Sequence, residues 1–469
     1  MAMLNLSKQI KKYAEQNPVR FHTPGHKGAL EPHDVTELFF TDNLYSPNES
    51  LRFILDLEER IPQVFFPRRN IASTISCGGA TLCIQAALLA VSRKNRENNK
   101  NNNNDETGTG RRYIICARDC HISFINALAL LDIEPIWLYD TGCIEELFKI
   151  NRTPAREGSG KNIIAAFVTS PNYYGGMCDI AKISKVCKKY DTPLIVDNAH
   201  GSHLAFHKDG ELHPVNCGAD IAIDSVHKTL PALTGAALAH AVPGYDMRGA
   251  MQVFASTSPS YLILQSIEQM LDFLETSGTA EHCRLLDDIT GLKNNAREYF
   301  AQEPAGDANP WSDPFRIILN CENSGGKLYY FLFEKNITCE FYENDRVIIV
   351  PSVFNKSSDF ESLAGALQIF TRENNVTNVT SVKIPAPLCG VTRFSLPAAA
   401  RTLSQTLKSP REPVNVSAAL GRICAEPVFA YPPGIPLVLP GEIISRDIID
   451  IITNANANLA RGKIHITCR

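Results

Sequence analysis

Pro193-Leu194-Ile195-Val196-Asp197-Asn198-Ala199-His200 and, further along, Ile221-Ala222-Ile223-Asp224-Ser225-Val226-His227-Lys228 decide the fold. Each is a short apolar run that ends in polar residues, which reads as a strand buried on both faces and stopping at a turn. The first run delivers a carboxylate, Asp197, and the second an amine, Lys228. A lysine that closes an apolar strand and follows Ser225 and His227 has the neighbours to condense with an aldehyde cofactor. An acid ending a companion strand can keep that cofactor's ring nitrogen protonated, so the pair suits pyridoxal phosphate (PLP), with the Ser225 hydroxyl free to hold its phosphate. Taken singly, a lysine after a strand is ordinarily a surface residue and an aspartate there a turn former. The pairing carries the reading.

Outward from these runs the chain has an α/β texture. An apolar run from about Ile71 leads through Ser76-Cys77-Gly78-Gly79-Ala80-Thr81 into a helix expected from Leu82 to Val91. Strands are expected at residues 113–116, 135–138 and 163–168, with helices at 122–131 and 180–190 between them. Strands that are apolar throughout and alternate with helices indicate a mostly parallel sheet covered on both faces, whose ligands bind beyond the carboxyl ends of the strands. Asp197 and Lys228 both fall at such ends. Gly78 and Gly79 let the backbone turn tightly into the following helix, whose first amides and positive dipole end suit a phosphate, with the Thr81 hydroxyl beside them.

The 469 residues exceed what one core usually serves, and 44% hydrophobic against 20% charged residues gives ample core material. A net charge of −4 gives no general attraction to nucleic acid or to anionic membranes, which leaves a small molecule as the expected partner. With no leader-like opening and no apolar run long enough to span a bilayer, a cytoplasmic address is expected. The 14 cysteines are scattered through apolar runs, as reduced and buried thiols would be. Cys116-x3-Cys120-His121 has no second ligand pair to complete a zinc site, so no metal is expected, and His203 and His207 lack an acidic third ligand and read as core or surface residues.

The order of motifs resembles the Orn/Lys/Arg decarboxylase family, a PLP fold type I family. The residues that carry the resemblance are Phe21-His22-Thr23-Pro24-Gly25-His26-Lys27-Gly28, Thr41-Asp42-Asn43-Leu44, Arg118-Asp119-Cys120-His121, the Asp197 and Lys228 segments, and Tyr431-Pro432-Pro433-Gly434-Ile435-Pro436 through Pro440-Gly441-Glu442. They span nearly the whole chain. The resemblance implies an aspartate-aminotransferase-like large domain and a smaller α+β C-terminal domain. Expected boundaries are an N-terminal arm at 1–50, the PLP-binding domain at 51–255, linker helices and a small α+β domain at 256–380, and a decarboxylase-type segment at 381–469.

It also implies decarboxylation of arginine, lysine or ornithine to the matching amine, at least a homodimer, and a set of roles. Lys228 holds the cofactor, Asp197 its ring nitrogen, and Ser225 with Gly79, Ala80 and Thr81 its phosphate. His121 stacks on the ring face where substrate arrives and can handle a proton, and Ala199 packs on the opposite face. His200 is either a second layer of support or a substrate contact. His227 lies near the substrate carboxylate, and Glu442 could meet a cationic substrate tail. Where the family usually reads Asn-Gly-Ser-Thr, this chain has Ser76-Cys77-Gly78-Gly79, which changes the phosphate contacts.

Rival readings fare worse. Ser225-Val226-His227-Lys228 fits the Ser-x-x-Lys signature of penicillin-binding enzymes, but no Ser-x-Asn or Lys-Thr-Gly follows. Ala155-x4-Gly160-Lys161-Asn162 lacks the first glycine and the Ser/Thr of a phosphate loop and precedes a strand. An aminotransferase or another lyase would use the same Lys228 and Asp197, and a non-catalytic relative would keep the fold. The polar run 93–112, with its asparagine tract, cannot bury apolar area and reads as a disordered loop on the rim opposite the chemistry. Excision of residues 97–109 is therefore expected to leave turnover nearly intact; a large drop in activity with the fold preserved would refute that placement.

Overall fold

The computed structural model describes residues 19–21, 52–101, 110–138, 141–152, 161–257, 259–300, 312–374, 397–430, 435–454, 459 and 462–468. After β1 (Val19–Phe21), the strands β2 (Ala72–Ser76), β3 (Arg112–Ala117), β4 (Ile133–Leu138), β5 (Asn162–Thr169), β6 (Leu194–Asp197), β7 (Ile221–Asp224) and β8 (Ala237–Ala241) follow in sequence. The last seven form one sheet in the order β2-β8-β7-β6-β5-β3-β4. Every pairing from β7 to β4 is parallel, and β8 runs antiparallel to both its neighbours. The fold is PLP fold type I, mixed α/β with a large, mostly parallel sheet.

The sequence patterns account for this layering. β5 is buried along almost its whole length, as a strand with helices on both faces must be. Phe124, from the helix Ile122–Leu131, stacks on Phe167 of β5 at 3.8 Å and fastens one layer to the sheet. Asp179 caps the helix Ile180–Lys189 by accepting from the Lys182 amide at 2.9 Å, a start signal legible in the sequence.

The bounds expected around the polar run need correction, and two elements were not expected. The helix expected at 82–91 runs over Gly79–Asn101, so residues 93–101 of the polar run are helical, and Arg112 already belongs to β3. Arg93, Lys94, Arg96 and Glu97 are good helix formers, and the extension finds polar partners: Lys94 Nζ lies 3.8 Å over the Tyr245 ring and Asn95 Nδ2 donates to Asn162 Oδ1 at 3.3 Å. Residues 102–109 lie outside the described residues, as do His22–Gly28, Thr41–Leu44 and Tyr431–Gly434. The strand β8, Ala-Leu-Ala-His-Ala, went unnoticed because its composition favours helix; pairing on both sides makes it a strand. The helix Arg52–Phe65 went unnoticed too, with Pro62 inside it.

A smaller unit follows. β9 (Ile317–Asn320), β11 (Phe341–Tyr342) and β12 (Arg346–Ile349) form an antiparallel sheet, and β10 (Ile337–Cys339) pairs in parallel with β1. The helices Thr279–Asn295, Gly325–Glu334 and Ser357–Asn374 close over a core that includes Phe21, Tyr299, Val347 and Phe370. A third cluster, including Cys424, Val438, Ile448 and Ile466, holds β13 (Arg411–Asn415) and β16 (Lys463–Thr467), which pair with each other, β14 (Val428–Ala430) and β15 (Ile435–Val438), and the helix Arg446–Asn454.

Beneath the carboxyl ends of β6 and β7 sits a buried polar cluster. Asp224 accepts from Asn198 Nδ2 at 2.6 Å and from His213 Nε2 at 3.2 Å, and His240 Nε2 lies 3.5 Å from its second oxygen. Ser73 Oγ and His240 Nδ1 are 2.8 Å apart, which holds the ring on its other side. Burial pushes Asp224 up, but His213 and His240 more than offset this and hold it well below the usual carboxylate range. Burial lowers His240 below its ordinary value of 6.5.

The sign follows for both groups: the unfolded chain binds protons that the folded one refuses, so stability is complete near neutrality and falls as pH drops below about 6.5. Replacing Asp224 with Ala strands the donors facing it and is expected to cost about 3–5 kcal/mol, read by denaturant unfolding at pH 7. A loss below about 0.5 kcal/mol, the ordinary surface effect, would show that the cluster does not hold the strand ends.

Candidate active site

The carboxyl ends of β2, β3, β5, β6 and β7 share one rim, because β8 alone reverses direction. Onto that rim the turns deliver residues 76–81, 118–121, 170–176, 197–203 and 225–228. The register Thr169–Asp197 between β5 and β6, and Asp197–Ile223 between β6 and β7, sets the acid one strand from the turn that carries Lys228.

Lys228 lies in the single-turn helix Val226–Thr229, capped by the Ser225 backbone, and its Nζ is 3.0 Å from His200 Nε2. His200 is pushed well below its ordinary value, first by burial and then by the Lys228 charge, so it stands neutral with the Nε2 lone pair toward the amine. Its Nδ1 has no partner. Burial lowers Lys228 as well; Asp197 opposes that shift and the charge of Arg316 reinforces it. The amine therefore loses its proton more readily than a surface lysine, as a nucleophile requires.

Asp197 is buried, and burial raises its carboxyl although Lys228 and His121 pull the other way. One oxygen accepts the Ala199 amide at 3.1 Å. A desolvated carboxylate of this kind gains from a cationic N–H partner. His121 caps the helix Ile122–Leu131: Ser123 N donates to Nδ1 at 3.2 Å and the Ser123 hydroxyl lies 2.7 Å from the same atom. The helix-capping role and a ring open to the rim coexist, because the cap uses Nδ1 and leaves the exposed face and Nε2 free. His227 donates from Nδ1 to the Ala236 carbonyl at 2.9 Å, which fixes the ring and leaves Nε2 as its second functional atom.

At the phosphate end, Ser76 closes the turn, accepting from the Gly78 amide at 3.1 Å and donating to the Gly79 carbonyl at 2.9 Å. Gly79 has φ +69°, which requires glycine, and its amide donates to the Gly235 carbonyl at 2.9 Å. That amide is spent, a correction to its place among phosphate donors. Ala80 and Thr81 remain, among first-turn amides that have no intrahelical acceptor, with the Ser225 hydroxyl, which makes no capping bond. This set of open amides, hydroxyl, buried acid, amine of lowered proton affinity and exposed imidazole fits PLP.

Glu442 needs a larger correction. It is buried in a two-point ion pair with Arg118, at 2.6 and 2.7 Å, and also accepts the Leu439 amide at 2.7 Å. Committed to these three donors, it has no capacity for a substrate tail; it ties the C-terminal unit to the end of β3. Other site residues went unnoticed. Tyr173 meets His200 edge-on at 5.1 Å and donates its hydroxyl to Glu340 at 2.8 Å, and the Glu340 charge is felt at Lys228. Arg316 opens β9 at the same rim. A cation just before an apolar strand, as in Asp313-Pro314-Phe315-Arg316-Ile317, was the available signal.

Comparison with known proteins gives the family and the fold. A family profile described as Orn/Lys/Arg decarboxylase, major domain, matches residues 106–318, and one described as Orn/Lys/Arg decarboxylase, C-terminal domain, matches 395–459. The chain is 26% identical over 489 aligned residues to an arginine decarboxylase of Bacillus subtilis (strain 168), covering 96% of this chain and 93% of that one. It is 22% identical to a constitutive lysine decarboxylase of Escherichia coli (strain K12) over 72% of this chain and 62% of that one. The solved structure of the E. coli constitutive lysine decarboxylase superposes with a TM-score of 0.69 at 17% identity, covering 94% of this chain and 76% of that chain.

Breaking a buried ion pair from one side costs about 3–5 kcal/mol, so Glu442→Ala is expected to lower unfolding stability by that amount. Discrimination among basic amino acids is expected to stay unchanged. A variant that keeps its stability but changes that discrimination would return Glu442 to the substrate site.

Proposed function

Because the chain belongs to the Orn/Lys/Arg decarboxylase family and is a PLP-dependent amino-acid decarboxylase, we propose that its substrate is a basic amino acid, arginine, lysine or ornithine, released as carbon dioxide and the matching amine. The observation that carries the reading is the Lys228 amine, 3.0 Å from a neutral His200 and one strand from the buried Asp197. PLP, when bound, supplies an aldehyde carbon for an amine and a cationic ring that draws off the electron pair left when a bond at Cα breaks.

Each residue then has a task of its own. Lys228 holds the cofactor and gives way to the substrate amine, which its lowered proton affinity favours. Asp197 keeps a proton on the ring nitrogen, and its raised proton affinity matches that bond. Ala80, Thr81 and Ser225 hold the phosphate, while His121 and Ala199 bound the ring faces. His200 keeps the amine oriented. Lys228 or His227 returns a proton to Cα.

The cationic tail points to Glu340. It is the acid whose charge is felt at Lys228, and its carboxylate is oriented by the Tyr173 hydroxyl. Every cysteine among the described residues is free and many are buried, which supports a reducing, cytoplasmic setting for the enzyme. No helix among the described residues is long and apolar enough to cross a membrane. The family resemblance extends the reading to a homodimer and to supply of polyamine precursors.

Incubation of the PLP-loaded protein with arginine, lysine and ornithine is expected to yield carbon dioxide and an amine from at least one of them; a keto acid would replace this reading with transamination. Lys228→Ala should lower turnover by on the order of a thousandfold or more, and Asp197→Asn should lower turnover while leaving cofactor binding partly intact.

A further inference from the structure

The turn that carries His121 is gripped by the C-terminal unit at both of its ends. At the start, Arg118 follows the last residue of β3, and its two terminal nitrogens go to the two oxygens of Glu442 at 2.6 and 2.7 Å, with the side chains only 4% and 5% exposed. Arg118 Nη2 also reaches the Leu437 carbonyl at 3.5 Å, and the guanidinium lies 5.2 Å from the centre of the Trp137 ring on the neighbouring β4. Glu442 accepts the Leu439 amide, and Leu439 is buried in the same core as Phe124 and Leu128 of the helix Ile122–Leu131.

At the other end the turn runs into that helix, and the short helix Leu403–Leu407 packs against it, with Leu403 in the same core. The two grips are one body. The Ala400 amide donates to the Gly441 carbonyl at 2.8 Å, and Ala399 bridges to Glu442 itself. Only Asp119 and Cys120 separate Arg118 from His121, and Cys120 is buried in the core. His121 Nδ1 is tied to Ser123 in the first turn of the helix, so the ring goes where that helix begins. A buried ion pair adds little stability over an apolar pair of the same size, whereas a two-point fork fixes direction as well as distance.

We propose that Arg118 and Glu442 are positioning residues, through which the docked C-terminal unit holds the 118–121 turn, and with it the His121 ring, in place at the rim. The proposal rests on the role given to His121 above. Neither Arg118 nor Glu442 touches substrate or cofactor; both act through the turn.

The test is a double-mutant cycle. PLP-loaded wild type, Glu442→Gln, His121→Ala and the double variant are compared well below the lowest melting temperature of the four, with kcat, KM and the visible circular dichroism of the bound cofactor measured on each. Glu442→Gln is expected to lower kcat about ten- to a hundredfold, the effect of a displacement of about 1 Å at a reacting centre, and to shrink the dichroism band. KM for the amino acid should change by less than about threefold, since the loss falls on the reaction step. In the double variant, Glu442→Gln should add less than about twofold to the loss from His121→Ala, because the ring that it positions is gone.

Losses that multiply in the double variant overturn the proposal, as does a folded Glu442→Gln protein with wild-type turnover and dichroism. If Glu442→Gln fails to fold, Arg118→Lys carries the same cycle: it keeps the charge and loses the fork, so the same non-additivity with His121→Ala is expected, and its absence overturns the proposal. Full turnover by His121→Ala overturns the role given to His121 and this proposal with it; a slow His121→Ala with multiplying losses overturns this proposal alone. A wild type that releases no carbon dioxide from any basic amino acid overturns the substrate reading, and the cycle is then decided by the dichroism.

Discussion

Asp197, Lys228 and Arg316 are held largely out of water around one rim, and the cost of desolvating any one of them alone is comparable with the net stability of an entire domain. The pocket survives because each group is offset in a different way. Lys228 holds its proton less tightly than a surface lysine and sits beside a neutral imidazole, burial raises Asp197 while Lys228 and His121 temper the shift, and Arg316 has Asp313 within ion-pair reach. These offsets are incomplete, and the buried charges they leave are open to ligands such as the cationic ring nitrogen proposed for Asp197. Stability withheld at the rim becomes binding energy for them.

Such a rim needs rigid support, and the sheet gives it. Parallel strands fix where each turn begins to within one residue, because a one-residue slip would swap the side chains packed on the two covered faces along the whole strand. Beneath the rim, Asp224, the residue before Ser225, accepts from Asn198, the residue after Asp197, with His213 and His240 closing the cluster. The two strand ends that carry the acid and the amine are thereby locked together by charge as well as by backbone pairing. Phe65 and Phe66 pack against His240, and Phe66 also against His213, so water is kept from the lock.

Much of this could be read from the sequence, and the failures are as physical as the successes. β5, β6 and β7 announce themselves because strands covered on both faces must be apolar throughout, and Asp197 and Lys228 stand out as polar residues that end such runs. β8 was hidden because alanine, leucine and histidine carry no strand preference and its pairing is set by partners distant in the chain. The same reason hid Asp224's role: its three neighbours come from positions 198, 213 and 240, and no local pattern links them. Glu442 misled because acid chemistry beside a proline-rich wall looked available, whereas its capacity is consumed by Arg118, far away in sequence. Arg316 and Glu340 belong to the smaller unit and reach the site through packing on the 173–176 turn, a contact that residue order does not show.

That last contact separates two kinds of work. The large sheet carries Asp197, Lys228 and Ser225, while the smaller unit brings a cation and an acid, Arg316 and Glu340, to the same rim. Between them stand Tyr173 and Gly175: the tyrosine hydroxyl orients Glu340 and its ring edge meets His200, and the glycine leaves room for Arg316 to approach. Tyr174 adds a bond from its hydroxyl to Glu343 at 2.5 Å, tying the same turn to the far side of β11. The spacing between Arg316 and Glu340 is thus set by strands of the smaller unit, while Lys228, Asp197 and Ser225 keep the geometry that the sheet gives them.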